Sequence, residues 1–258
     1  MKLAEKYVFS SNTISSIDKD AIAQNEPGYG FILMERAAKY SLQTLMNNNP
    51  TSMTVFCGSG NNAGDGYLLA KMAMESGVNS KVIAMESEDI LKGDAKKAKD
   101  IFKDAGGIVE RWSPNISLTS DWIVDAIFGI GLNRDIKSPY KEAIEFINES
   151  KSKVLSIDIP SGLCGKTGKI FGSAVSANIT TTYVGKKSGL YLASGPNCTG
   201  TIYFSDLDID QAFYSDHKPL IKIVSEKEVS DVLLDREQTS HKGDNGHILL
   251  IGGNDGME

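Results

Sequence analysis

The chain has 258 residues, 41% of them hydrophobic, which supplies a core for one large domain or for one domain with part of a second. Its formal charge of −6 argues against a nucleic-acid or anionic-membrane surface, since either needs a basic patch. The sequence lacks the apolar segment of a signal peptide and any stretch of membrane-spanning length, so a cytoplasmic location is expected.

Helices and short strands alternate along the chain. Apolar residues at helical spacing predict helices over residues 11–25, 30–46, 67–76, 92–105 and 140–150. Short apolar runs predict strands over residues 53–57, 81–85, 122–128, 154–159, 178–184 and 200–207. This alternation is typical of βαβ units, and it predicts an α/β fold with a mostly parallel sheet that helices cover on both faces.

The chain changes character near residue 210. Residues 211–219 are interpreted as a linker, and a turn, a strand and a second glycine turn follow over residues 241–253. A strand with no element behind it to complete its fold is typical of the start of a further domain. The sequence therefore predicts one domain over residues 1–218 and the truncated start of another over residues 219–258.

A glycine-rich stretch at residues 58–66 follows a predicted strand and precedes a predicted helix. Glycines let the backbone approach a ligand closely, and the free N–H groups of a helix N-terminus attract phosphate. As a dinucleotide fingerprint, the stretch has one residue too many between Gly60 and Gly64, although Glu86 lies where a ribose-binding acid would fall. A purely structural turn is the alternative, but polar side chains within the stretch favour a ligand (Ser59, Asn61, Asn62 and Asp65).

Asp125 interrupts an otherwise apolar predicted strand. A carboxylate buried there is costly unless it is hydrogen-bonded or binds a cation, so both a satisfied core aspartate and a cation ligand stay open. Two glycines and Arg134 follow within residues 129–135, a combination that suits a phosphate, although Arg134 alone could equally be a solvated surface residue.

Asp158 lies near the end of the next predicted strand, which Pro160 stops and a Ser-Gly turn follows. In parallel sheets ligands bind at the carboxyl ends of the strands, so Asp158 is a candidate acid/base in a cleft. Asn62, Asp125 and Ser161 could converge there as oxygen ligands of a hard cation. The three histidines (His217, His241 and His247) lie in the last 42 residues, so proton transfer elsewhere must depend on other side chains.

The chain resembles the YjeF N-terminal family, the NAD(P)H-hydrate epimerases, in four stretches that occur in the family's order. They are residues 33–37 (Leu-Met-Glu-Arg-Ala), 58–66 (Gly-Ser-Gly-Asn-Asn-Ala-Gly-Asp-Gly), 124–132 (Val-Asp-Ala-Ile-Phe-Gly-Ile-Gly-Leu) and 158–162 (Asp-Ile-Pro-Ser-Gly) with Thr167 and Gly168. Four ordered motifs are much more specific than a single glycine loop.

The resemblance implies a Rossmann-like three-layer αβα fold and an isomerase that interconverts the R and S forms of hydrated NADH and NADPH. It also implies a potassium ion held by Asn62, Asp125 and Ser161. Asp158 is the predicted acid/base because of its position at the carboxyl edge of the sheet. The substrate-lining residues that it implies are Asn61, Asn62, Ala63, Gly64, Asp65, Gly129, Ile130, Gly131, Leu132, Asn133, Arg134, Asp135 and Asp158. Ala63 stands where the family usually has glycine, and is expected to stiffen the turn slightly.

The tail, at residues 241–243 (His-Lys-Gly) and 251–253 (Ile-Gly-Gly), resembles the opening of the ribokinase-like NAD(P)H-hydrate dehydratase domain. The resemblance implies that the parent protein is a bifunctional repair enzyme that also dehydrates the S form with ADP or ATP, a reaction not expected of this chain alone. The expected partners are the small-molecule substrate and the fused dehydratase domain, with a homodimer through the two N-terminal helices as a further expectation.

Two other functions stay open from the sequence. A nicotinamide-dependent oxidoreductase would use the same glycine turn and Glu86, but the extra residue in the turn and the absence of a nearby histidine count against it. A non-catalytic nucleotide-binding module would keep the fold while losing the polar side chains, yet Asp125, Asp158 and the Asn pair are all present.

Overall fold

The computed structural model describes residues 2–87, 90–233, 239, 241, 243 and 249. The chain forms two compact units, Met1–Ile223 and Val224–Glu258. Within the described part of the second unit there is a short helix, α9 (Glu226–Ser230), whose N-terminus is capped by Ser225. The tail motifs predicted to open a dehydratase domain lie almost wholly outside the described residues.

The first unit is built on a seven-stranded parallel sheet. Its strands are β2 (Ser52–Cys57), β3 (Asn79–Ala84), β4 (Ile108–Arg111), β5 (Trp122–Ala126), β6 (Lys153–Ile157), β7 (Ile179–Tyr183) and β9 (Thr201–Ser205). They lie in the order β4-β3-β2-β5-β6-β7-β9, and every neighbouring pair is parallel. The predicted parallel α/β sheet is therefore confirmed.

Helices cover both faces of this sheet. They are α2 (Ser11–Ala23), α3 (Tyr29–Met46), α4 (Asn61–Glu75), α5 (Gly93–Asp104) and α6 (Tyr140–Glu149). Because side chains alternate along a strand, Val55 packs in the core beneath α3, α4 and α5, whereas its neighbour Phe56 packs in a second core with Ile144 of α6. The three-layer αβα arrangement is confirmed.

A second, three-stranded sheet joins the chain termini of this unit. Its strands are β1 (Tyr7–Phe9), β8 (Lys186–Lys187) and β10 (Ile221–Lys222), with β1 in the middle. The remaining short helices are α1 (Leu3–Lys6), α7 (Gly195–Thr199) and α8 (Ala212–Ser215). No helix among the described residues has both the length and the apolar character needed to cross a bilayer.

Two predictions about local structure were wrong. Residues 211–219 are not a linker, because they contain α8, where the buried Tyr214 donates a hydrogen bond to the Val184 carbonyl over 2.7 Å. The helix predicted to begin at Tyr67 begins six residues earlier, at Asn61, so most of the glycine-rich stretch is helical rather than a turn. Strands of four residues or fewer (β1, β4, β8 and β10) were not predicted at all, since such runs are too short to show a period.

Candidate active site

A large cavity lies where the strand order reverses. After β2 the chain proceeds to β3 and β4 on one side of the sheet, and from β5 onwards it proceeds to the other side, so the loops after β2 and β5 diverge and leave a crevice. The cavity measures about 1070 Å³. It is thus just above the range of about 300–1,000 Å³ that is usual for ligand pockets.

Gly58 brings the two diverging loops together at the floor of this crevice. Its N–H donates to the Ala126 carbonyl at the end of β5 over 3.1 Å. A Cβ at this position would lie 2.0 Å from the Ile127 carbonyl oxygen, so no larger residue fits. The N-terminus of α4, with its free N–H groups, begins directly afterwards at Asn61.

Two later glycines of the stretch serve helix packing rather than loop flexibility. A Cβ at Gly64 would lie 2.5 Å from Met34 Sδ of α3, and one at Gly66 would lie 2.6 Å from Ala126 Cβ of β5. Ala63, the departure from the family pattern, is fully buried within α4 and so stiffens no turn. Ala63 and Gly64 do not line the cavity, contrary to the prediction, because they face the core.

The loop after β5 forms one wall of the cavity. All seven residues predicted from it line the cavity: Gly129, Ile130, Gly131, Leu132, Asn133, Arg134 and Asp135. Arg134 is exposed at the rim, a position that suits both a phosphate-binding residue and a solvated surface residue. From the loop after β2 and the start of α4, Asn61, Asn62 and Asp65 also line the cavity.

An aromatic and acidic wall stands at the β3 end of the crevice. The Tyr140 hydroxyl donates to Glu86 Oε1 over 2.7 Å, and the Tyr140 ring packs against Phe128 with ring centroids 4.7 Å apart. Burial and the Glu86 carboxylate raise the pKa of Tyr140 well above its usual value, so this hydroxyl stays protonated and donates. Glu86 lines the cavity at the end of β3, as the sequence predicts for a ribose-binding acid.

Asp158 projects from the end of β6 at the opposite end of the crevice. Its backbone has a φ of +68°, the left-handed region that non-glycine residues adopt uncommonly. Its Oδ1 accepts a hydrogen bond from Lys187 Nζ, and no described residue donates to its Oδ2. That free oxygen lies close to the cavity wall, 3.5 Å from a Cβ built on Gly129. Strained backbone that persists in a folded protein is frequent at functional sites.

Three ionisable residues at this end of the cavity were not predicted from the sequence: Asp18 on α2, Tyr183 at the end of β7, and Lys187 on β8. Asp18 and Asp65 are both half-buried carboxyls, and burial raises the pKa of each, with the nearby Asp158 charge adding to the effect. Lys187 opposes this effect at both carboxyls. The site therefore gathers three carboxyl groups around one buried ammonium group.

Asp65→Asn is expected to raise the midpoint of thermal unfolding at pH 8 relative to the unsubstituted chain. A carboxyl whose pKa is raised on folding stabilises the fold below its unfolded pKa, about 3.9, and that stability is lost as pH rises through the folded pKa. The gain in midpoint should therefore shrink to nothing near pH 4. The exposed Asp20→Asn, measured by calorimetry over the same range, serves as the control; equal pH dependence in both variants would contradict the prediction.

Asp125 is fully buried, does not line the cavity and is surrounded by donors. Its carboxylate accepts from Ser161 Oγ (2.5 Å), Ser161 N (2.8 Å), Ser156 Oγ (2.8 Å) and Ile127 N (3.3 Å). Burial raises the pKa of Asp125, and these four hydrogen bonds act in the opposite direction. Asp125 is thus a hydrogen-bonded core carboxylate that ties the loops after β5 and β6 together.

The side-chain amide of Asn62, unlike the Asp125 carboxylate, is buried without hydrogen-bond partners among the described residues. Asn62 is 8% exposed, and neither its Oδ1 nor its Nδ2 has a hydrogen-bond partner among the described residues. Buried polar groups are normally paired, so an orphaned amide on a cavity wall indicates a ligand. Among the described residues, Ser161 Oγ accepts a hydrogen bond from Phe128 N alone, so it keeps one lone pair. An amide oxygen, a hydroxyl and a buried carboxylate fit a hard cation such as potassium.

Comparison with known proteins gives one family. Residues 30–189 match the family model described as YjeF-related protein N-terminus. The bifunctional NAD(P)H-hydrate repair enzyme Nnr of Coxiella burnetii is 32% identical over 97% of this chain and 51% of its own length. The enzyme of the same name from Escherichia coli is 33% identical over 87% of this chain and 44% of its own length. The chain therefore spans about half the length of these relatives.

The fold also matches a solved structure. The crystal structure of yeast ynu0 superposes with a TM-score of 0.67 over 83% of this chain and 95% of the yeast chain, at 23% sequence identity. At that identity the match concerns the fold, and it agrees with the three-layer arrangement around a parallel sheet.

Proposed function

We propose that this chain, which belongs to the family of YjeF-related protein N-termini, is an NAD(P)H-hydrate epimerase that interconverts the R and S forms of hydrated NADH and NADPH. The observation that carries the proposal is the cavity at the sheet's switch point, which combines a dinucleotide-sized crevice with a strained, ion-paired carboxylate at one end. The family match and the names of the relatives add the substrate class.

The order of the strands suggests how the substrate would lie. In dinucleotide folds the pyrophosphate lies over the first glycine turn, and an acid after the next strand meets the adenosine ribose. By that rule the pyrophosphate of hydrated NAD(P)H would lie at Gly58 and the start of α4, and the ribose near Glu86. The hydrated nicotinamide ring would then reach past β5 towards Asp158, which is the end where the reaction needs an acid/base.

Asp158 is the group proposed to move the proton. The stereocentre carries a hydroxyl beside the ring nitrogen, and it can invert either by ring opening to an aldehyde or by loss and re-addition of water through an iminium. Both routes begin and end with proton transfer at that oxygen. The free Oδ2 of Asp158 can accept or return this proton while Oδ1 stays bound to Lys187. Such general acid/base help typically contributes about 10²–10⁴-fold in rate.

We also propose that potassium binds between Asn62, Asp125 and Ser161. A bound cation would satisfy the orphaned Asn62 Oδ1, offset the buried charge of Asp125, and hold the loops after β5 and β6 in place. Support comes from the unpaired buried amide and from the hard oxygen chemistry of the three side chains.

Potassium is expected to raise the unfolding midpoint of the unsubstituted chain and to leave that of Asn62→Leu unchanged. A ligand present at 100 times its Kd stabilises the folded state by about 2.7 kcal/mol. Calorimetry with potassium replaced by lithium at constant ionic strength measures the effect. Asn61→Leu is the matched control, because Asn61 is the exposed neighbour and should keep the potassium response. An equal response in Asn62→Leu would contradict the assignment.

The epimerase activity is tested with purified R-hydrate of NADPH in potassium buffer. Chromatography that separates the R and S forms follows their interconversion with and without the protein. Conversion faster than the spontaneous rate supports the proposal, and a folded sample that gives no acceleration refutes it for this chain. The oxidoreductase alternative gains no support from the relatives, whose names describe cofactor repair.

The names of the same relatives describe a bifunctional enzyme. We infer that the parent protein is bifunctional and also dehydrates the S-hydrate, and that residues 219–258 begin its dehydratase domain. A cytoplasmic location and a homodimer remain expectations from the sequence.

A further inference from the structure

Lys187 is a buried lysine at the end of the cavity that holds Asp158. It is 1% exposed, yet it carries an ammonium group, which is costly to bury without partners. Its Nζ donates to three acceptors: Asp158 Oδ1, Thr182 Oγ1 at 2.9 Å and the Tyr183 carbonyl at 2.8 Å. These three bonds use all the donors that an ammonium group has. The lysine is therefore held in one orientation.

The fold brings Lys187 to Asp158 by a sharp reversal after β7. Val184 follows the strand with a φ of +64°, rare for a β-branched residue, and Gly185 then packs against α2, where a Cβ would lie 2.9 Å from Ile14 Cγ1. The chain continues into β8, where Lys187 pairs with Phe9 of β1. Backbone strain thus occurs on both sides of the ion pair, at Val184 and at Asp158, as is common where function requires an exact arrangement.

Only one of the two carboxylate oxygens of Asp158 takes part in the ion pair with Lys187. Oδ1 is bound to Lys187, whereas Oδ2 receives no hydrogen bond from any described residue and lies towards Gly129 on the cavity wall. Without Lys187 the carboxyl would be free to rotate about its Cβ–Cγ bond, because that torsion is broad. Lys187 is therefore the contact that decides which oxygen faces the ligand.

We propose that Lys187 is a positioning residue for the epimerisation: it holds Asp158 so that Oδ2 faces the hydrated nicotinamide ring and can exchange the hydroxyl proton. This inference rests on the proposed function. It differs from a stabilising role, for which the pair is poorly suited, since buried ion pairs can often be replaced by apolar side chains without loss of stability.

The test compares Lys187→Met, Asp158→Asn and the double variant by steady-state epimerisation of the R-hydrate. Lys187→Met is expected to lower kcat by about 30-fold or more while KM changes less than threefold, because the lysine acts through Asp158 rather than on the substrate. The double variant should be no slower than Asp158→Asn alone, since two residues that act as one unit are not additive. Lys186→Met is the matched control, because Lys186 does not line the cavity.

The outcomes separate the two proposals. If the unsubstituted chain is folded but inactive, the proposed function fails, and this inference fails with it. If the unsubstituted chain is active and Lys187→Met retains its kcat, or if the double variant loses the product of the two single effects, only the role of Lys187 is overturned. Should Lys187→Met not fold, Lys187→Gln is measured instead: its amide can still donate to Asp158 Oδ1, so its kcat should stay within about tenfold of the unsubstituted value, and a loss as large as that of Asp158→Asn would overturn the positioning role.

Discussion

Asp158→Asn is expected to slow epimerisation of the R-hydrate by about 10²–10⁴-fold, the usual contribution of a general acid/base. An amide has nearly the shape of the carboxyl, and its oxygen can still accept from Lys187, but it cannot take up or release the hydroxyl proton at neutral pH. Asparagine also tolerates the left-handed backbone at φ +68° better than most residues. The variant should therefore lose kcat while keeping its fold.

The measurement is the rate of R-to-S conversion per folded molecule, with the folded fraction taken from calorimetry. Asp100→Asn is the control, because Asp100 is a half-buried carboxylate on α5 that pairs with Lys96 and does not line the cavity. If Asp158→Asn converts the substrate at near the unsubstituted rate, the assignment of the acid/base to Asp158 is wrong, and Asp65 and Asp18 are the next positions to replace.

The sequence predicted the parallel sheet because its buried strands are apolar runs flanked by glycine and proline. It also predicted that Asp125 and Asp158 would lie at the carboxyl edge, since that follows from strand order alone. It gave them different candidate roles, but it left open whether Asp125 is a satisfied core carboxylate or a cation ligand. Asp125 turned out to be enclosed by four donors, and Asp158 to face the cavity, a difference that depends on Ser156 and Ser161 being close in space to Asp125.

Lys187 could not be found from the sequence, because it lies 29 residues after its partner Asp158 and next to another lysine. Two adjacent lysines show no pattern that tells which one is buried. A weaker signal was available in β7, where Thr180, Thr181 and Thr182 occupy a central strand that would ordinarily be apolar. Their hydroxyls are buried and hydrogen-bonded, and Thr182 accepts from Lys187. A polar run in a buried strand predicts buried polar partners.

The glycine-rich stretch was predicted to be a turn, but most of it is helical. Glycine in a sequence usually indicates a turn, but Gly64 and Gly66 lie inside α4, where they let the helix approach α3 and β5 closely. Only the contact partners distinguish these two uses of glycine. The start of the same helix carries Asn61 and Asn62 on the cavity wall.

Gly58→Ala is expected to destabilise the fold strongly and to disable the site with it. The added methyl group would lie 2.0 Å from the Ile127 carbonyl oxygen, so β2 and the loop after β5 would have to move apart. Overpacking of this kind typically costs about 1–3 kcal/mol and occasionally more; contact with backbone, which cannot rotate away, favours the upper end. For a domain of this size, about 3 kcal/mol corresponds to a fall of roughly 6–12 °C in Tm.

Gly131→Ala is the matched control on the other side of the same crevice. A Cβ there meets nothing within 4 Å, and its backbone does not require a positive φ. Its Tm should stay within about 4 °C of the unsubstituted value, since an alanine that fits without strain changes stability by about 1 kcal/mol or less. Because Gly58 joins the loops on either side of the switch point, equal Tm values for the two variants would mean that those loops can separate freely. The crevice would then not be a preformed dinucleotide site.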